Sequence, residues 1–270
     1  MAAPGPVLLR IDGAVAAVTL ARPGRRNAAD RDMLAALEAA IDQAEAAGEV
    51  RLLTVTGAGS AFCAGWDVAD LSRLAGLDAD QLAAEFAANA RVLDRFSASP
   101  LPTLALVNGP VAGFGVSLVA RADFAIAAEH ATFHLPEAAL GIVPALVAED
   151  LVAALGRRAA FDWLALADRR SAAAALAAGL VRQVVPGTEL AAQAVALAAA
   201  LAAAPRGVLA ELKGLTARLA ADADADARRR LAIAGAVAAL QARRTQDEIQ
   251  RKNMKAEREN DWQRDSKTLA

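Results

Sequence analysis

The sequence predicts an α/β fold with crossover connections, and three observations carry that expectation. Short apolar runs closed by glycine recur at residues 52–56 (LLTVT) and 104–107 (LALV), the pattern of buried strands that end in tight turns. Between and before them, apolar residues fall at helical spacing: Met33, Leu34, Leu37, Ile41 and Ala44, then Leu82, Phe86, Ala90 and Leu93. Strand-like and helical segments therefore alternate, and alternation is the signature of helices packed on a largely parallel sheet.

In chain order, Ala14 to Leu20 (AVAAVTL) reads as a strand, and Phe124 to Ala127 (FAIA) as another. Beyond Pro186 the pattern becomes wholly helical. Leu190, Ala194, Leu197 and Leu201 share one face, and Pro205 marks a break. The division expected is a core over residues 1–186 and a helical region over 187–270. From Arg243 to Lys267 both charge signs are dense, as in a solvated helix or frayed tail.

With 270 residues, 56% of them hydrophobic, the chain can bury a sizeable core. A net charge of -2 argues against nucleic acid or an anionic membrane as partner and favours small-molecule chemistry. The longest nearly apolar run, Ala191 to Ala204, has 14 residues, short of the roughly 20 that span a bilayer. One cysteine excludes an internal disulfide, and the opening residues lack a basic, apolar, cleavable pattern, so a cytoplasmic location is expected.

Two glycine-rich turns follow the two central strands: Phe62-Cys63-Ala64-Gly65-Trp66-Asp67 and Asn108-Gly109-Pro110-Val111-Ala112-Gly113-Phe114-Gly115. Such turns leave backbone N–H groups free, and two that face each other can hold an oxyanion. The turns resemble the F-x-A-G-x-D and N-G-x-x-x-G-G-G motifs of the crotonase (enoyl-CoA hydratase/isomerase) superfamily. The resemblance extends from Ala21–Ala28 through Ala131–Glu137 and Leu140–Pro144 to Gly179–Val181 and Val184–Pro186. It implies a spiral of strand-strand-helix repeats, with a C-terminal helical region that builds a homotrimer or a dimer of trimers.

The chemistry implied by the resemblance is stabilisation of a thioester enolate. The two donors would be the N–H groups of Trp66 and Phe114, and Glu137 the proton-moving carboxylate. Phe114 stands where the family has glycine, and a positive φ there would strain it. Hydratases of the family carry two glutamates. The first position here is Ser117, and the position just after the proline of L-G-x-x-P, acidic in some members, is Ala145. A single base suits shifting a double bond from Δ3 to Δ2. Hydratase or hydrolase-like action, or acyl-CoA binding without catalysis, are the alternatives.

The same resemblance places coenzyme A near Arg22, Arg26, Ala28, Ala64, Asp67 and Val68, and makes Gly113, Ser117, His134, Pro136 and Gly141 further substrate-binding positions. Coenzyme A would be part of the substrate, so no separate cofactor and no metal are expected. The segment Gly57–Phe62 lacks the third glycine of a dinucleotide fingerprint, and Cys63 reads as a small packed residue. His130 and His134 lack a ligand pattern around them, though His134 is close enough to Glu137 to line the pocket. An ion pair with a neighbouring arginine is the structural alternative for Glu137.

Overall fold

A computed structural model of the chain describes residues 5–221 apart from 68, 70–72, 74 and 75. The Arg243–Lys267 segment and Val68 lie outside the described residues. Strands β1 (Val7–Asp12) and β2 (Val15–Leu20) form an antiparallel hairpin. Strand β3 (Leu52–Gly57) runs parallel to β2, and β4 (Thr103–Val107) parallel to β3. Then come β5 (Val111–Ala112), β6 (Phe124–Ala128), β7 (Thr132–His134), β8 (Arg169–Ser171) and β9 (Gln183–Val185). One sheet has the order β1-β2-β3-β4-β6-β9, and a smaller one the order β5-β7-β8.

The strand composition follows from these positions. Every residue of β4 is buried, as befits a central parallel strand covered on both faces. β2 buries Ala16, Val18 and Leu20 and leaves their neighbours partly exposed. β1, which was not among the expected strands, holds the outer edge and is mostly exposed.

Helix α1 (Arg31–Ala46) starts where the Asp30 side chain accepts from the Met33 N–H at 2.9 Å, and it buries Met33, Leu34, Leu37, Ile41 and Ala44 as its spacing predicts. Helix α2 (Ala79–Ser97) starts with a reciprocal cap between Asp78 and Gln81. Its buried face differs from the expected one. Asn89, Val92, Leu93 and Phe96 are covered, while Phe86 is 43% exposed because only the second half of the helix reaches the core. Helices α3 (Phe114–Ala120) and α4 (Ala145–Leu166) follow, α4 being broken at Gly156, then α5 (Ala172–Ala178). Helix α6 (Leu190–Leu201) lies on β2, β3, β4 and β6 and buries Leu190, Ala194 and Ala198 there. The break at Pro205 precedes α7 (Arg206–Ala221).

Between them, the sheets make the strand-strand-helix spiral visible. β4, β5 and α3 form one turn, and β6 and β7 open the next, each giving one strand to either sheet. Isolated bridges from Cys63 to Val111 and from Ala29 to Trp66 extend the same ladder through the earlier turns. The chain parts into two compact units, Met1–Ala210 and Glu211–Ala270. The first thus takes in α6, and of the second residues 211–221 are described, as helix. Among the described residues no single helix is long and apolar enough to cross a membrane.

Candidate active site

The two glycine turns are joined to each other by backbone. Phe62 N–H donates to Pro110 O at 3.0 Å, and Ala112 N–H donates to Cys63 O at 2.9 Å. The side chain of Asn108 adds a polar staple: it accepts from Gly57 N–H at 3.0 Å and donates to Gly57 O at 2.9 Å and Gly59 O at 3.0 Å. Asn27, fully buried, donates to Ala58 O and Ala61 O at 2.9 and 2.8 Å. Neither asparagine carries a sequence signal beyond its place in a motif.

Within the first turn, Ala64 N–H is spent on Arg26 O at 3.0 Å and Asp67 N–H on Ala29 O at 2.9 Å. Trp66 is the bridged residue of that parallel ladder, so its own N–H points away from Ala29. Among the described residues it finds no backbone partner. Phe114 begins α3 with the unpaired N–H that every helix start leaves. Its φ is not positive. Gly113 takes the special conformation instead (φ 47, ψ -118), so the strain expected at Phe114 does not arise. The rings of Trp66 and Phe114 pack at a 52° tilt with 4.9 Å between centroids, Phe114 buried in the core and Trp66 partly so.

Gly65 and Gly113 meet where these donors sit. A Cβ on Gly113 would stand 3.6 Å from Cα of Gly65 and 3.3 Å from Oε1 of Glu137. Glu137 opens the short 3-10 turn Glu137–Leu140 beyond β7, with Pro136 before it and Gly141 closing it in the left-handed region (φ 75). Its Oε2 is buried without a hydrogen-bond partner, and it makes no ion pair among the described residues. Burial pushes this carboxyl above the usual carboxylate range, a rise reduced by its own backbone and by His134. His134 stands on β7 opposite Ala112, the residue before Gly113. The two glycine turns and an unpaired carboxyl thus meet in one region.

The other expected residues fall in two groups. Ser117 lies one turn into α3 and is 1% exposed. Around the first turn, Arg22 pairs with Asp30 at 2.8 Å and Asp67 at 2.9 Å and donates to Ala28 O, so its guanidinium is committed to the protein. Asp67 is drawn inward. The Ala69 N–H and the Arg22 and Arg25 guanidinium groups hold its carboxyl below the usual range against the opposing effect of burial. Arg26 is exposed, with Ala28 buried and Ala64 partly buried beside the same turn. Cys63 is fully buried, which pushes its thiol to about 12, and His130 Nε2 rests on Asn108 O at 3.1 Å. A residue without any sequence signal also emerges: Asp150 on α4, 3% exposed and bonded by Arg121 Nε at 2.5 Å.

Fold and site define a class: an α/β spiral in which two glycine turns meet beside one half-buried, unpaired carboxyl. A sequence model of the enoyl-CoA hydratase/isomerase family matches residues 10–265. A Thermus thermophilus protein named as an enoyl-CoA hydratase is 38% identical over 174 residues, which cover 64% of this chain and 69% of that protein. A Bacillus subtilis protein named as an enoyl-CoA hydratase/isomerase is 35% identical over 191 residues, 70% of this chain and 72% of its own. The crystal structure of an enoyl-CoA hydratase from Mycobacterium smegmatis superimposes with a TM-score of 0.82 at 29% identity, covering 88% of this chain and 91% of that one. The chain belongs to the enoyl-CoA hydratase/isomerase family of the crotonase superfamily.

Proposed function

We propose that this enzyme shifts the double bond of a 3-enoyl-CoA thioester to the 2-position through an enolate, with Glu137 as the single base. The observation that carries the reading is the Glu137 carboxyl. It is half-buried, unpaired at Oε2, and its Oε1 stands over Gly113 between the two turns. The N–H groups of Trp66 and Phe114 bind the thioester oxygen, where negative charge develops as the C2 proton leaves. Glu137 takes that proton and returns it to C4, so one carboxyl serves both ends of the allyl system. Ser117 in place of a second carboxylate supports a shuttle over a two-acid reaction.

Coenzyme A enters as part of the substrate, without a separate cofactor, and the family membership supports an acyl-CoA ligand. With Arg22 committed to carboxylates, Arg25 and Arg26 are the cations for its phosphates: both are exposed, and Arg25 reaches Asp67 only at 3.6 Å. A homotrimer, or a dimer of trimers, in the cytoplasm completes the proposal. Incubation with 2-enoyl, 3-enoyl and β-keto thioesters, followed by mass spectrometry with chromatographic separation of isomers, tests it. Conversion of the 3-enoyl substrate to the 2-enoyl isomer is expected. Tight binding of every thioester with turnover of none would leave an acyl-CoA-binding protein, the reading favoured by Ser117, Phe114 and Ala145 together.

A further inference from the structure

Behind α3 lies a polar group that the double-bond shift does not use. Asp150 is nearly fully buried; its Oδ1 accepts from Arg121 Nε at 2.5 Å, and Arg121 also pairs with Asp94 of α2. Its Oδ2 is buried and has no hydrogen-bond partner among the described residues. A half-satisfied buried carboxylate is costly, so it calls for a reason. Burial pushes the Asp150 carboxyl above the usual carboxylate range, and Glu149 adds to that rise, while Ser117 and Arg121, lying against it, reduce it.

Helix geometry connects this group to the reacting region. Side chains on a helix lean toward its N-terminus, so one residue covers the turn before it. Ser117 stands four residues after Gly113 and leans back toward the turn where Glu137 Oε1 sits. Arg121, four further on, leans in the same way toward Ser117. The order toward the site is Arg121, Asp150, Ser117, Gly113 and Glu137.

We propose that Asp150 is a positioning residue: its Oδ2 accepts the Ser117 hydroxyl proton, so that Ser117 Oγ presents its lone pairs to the acyl site and holds a water for addition to a 2-enoyl thioester. The inference rests on the reading of Glu137 as base and of Trp66 and Phe114 as donors. Water oxygen bonds to C3, and the C2=C3 electron pair moves through C1 onto the thioester oxygen. Glu137 takes one water proton and returns it to C2 as the carbonyl re-forms. The other proton stays on the new C3 hydroxyl and is the one bonded to Ser117 Oγ. The product is a 3-hydroxyacyl thioester, with Glu137, Ser117 and Asp150 restored.

The test gives the intact protein 3-enoyl and 2-enoyl thioesters of one chain length, and mass spectrometry reads the ratio of hydrated to isomerised product. In Ser117→Ala this ratio falls roughly tenfold or more, and Ser117→Thr, which keeps the hydroxyl, restores most of it. Asp150→Asn lowers it as Ser117→Ala does. A merely structural Asp150 would slow both reactions together and leave the ratio where it was, which overturns the inference; the Ser117 variants, which keep the Arg121 pair intact, decide the matter if Asp150→Asn does not fold. Absence of hydration in the parent protein also overturns it. Hydration without isomerisation in the parent would sink the isomerase reading and still support the role of Asp150.

Discussion

Glu137→Gln separates the cost of the proposed catalytic carboxyl to the fold from its contribution to the reaction. The substitution keeps shape and one hydrogen-bonding oxygen but cannot accept the C2 proton, so isomerisation should fall on the order of 10² to 10⁴-fold. At about 1.36 kcal/mol per tenfold, that is about 2.7 to 5.4 kcal/mol of lost transition-state stabilisation. Stability should move the other way. Burial raises the Glu137 carboxyl, so the folded protein holds this proton to a higher pH than the unfolded chain does. Between the unfolded value and the raised folded one, the folded state binds more protons, and stability drops as pH rises. Above the raised value the full penalty of an ionised, partly desolvated carboxylate is present; glutamine carries none of it. The variant is therefore expected to match the parent in acid and to exceed it in stability at neutral pH, and the parent's kcat/KM should fall as pH drops through the raised Glu137 value. Isomer-resolved kinetics and urea titrations at several pH values read both quantities. An unchanged rate, or a variant that loses stability as pH rises relative to the parent, would refute the reasoning.

Gly113→Ala would force a Cβ to 3.3 Å from Oε1 of Glu137 in a conformation only glycine adopts readily. It should cost about 1 to 3 kcal/mol of strain and slow turnover on the order of 10²-fold, as read by denaturation and steady-state kinetics. Asn108→Ala removes the partner of Gly57 N–H and frees two carbonyls, Gly57 O and Gly59 O. A loss of about 1 to 3 kcal/mol in urea unfolding, with an unchanged denaturant slope, is expected. Cys63, with its thiol pushed to about 12 by burial, should resist iodoacetamide at mildly alkaline pH in the folded protein and react once denatured, which mass spectrometry would show.

The parts of this fold that spoke through the sequence were those with enough residues to set a period. β2, β3, β4, β6 and α1 bury the side chains their patterns select. β5, β7, β8 and β9 have two or three residues each, too few for a pattern, and β1, apolar at Val7, Leu8, Leu9 and Ile11, sits at the sheet edge with its residues mostly exposed and no clean alternation. α2 shows a full apolar stripe of which only one half is covered, since periodicity marks a face and not how far a partner extends along it. In the site, Glu137 and the glycine turns stood out through motif and spacing. The fate of Arg22 did not, because its partners Asp30 and Asp67 meet only when the first two spiral turns stack. Asp150 was hidden for a similar reason: its partner Arg121 reaches it from a separate helix, across a long stretch of chain.

The bond between the two glycine turns has a mechanical consequence. The proposed donors at Trp66 and Phe114 each lie three residues beyond the bridged pair Cys63 and Val111. Their separation is therefore gauged by a short, local clamp and not by the long excursion through α2 that joins them along the chain. Lengthening or shortening the excursion around α2 would change loop entropy by only a slowly growing amount. The spacing of the proposed donors would be untouched, which leaves that region free to diversify while the two turns stay in register.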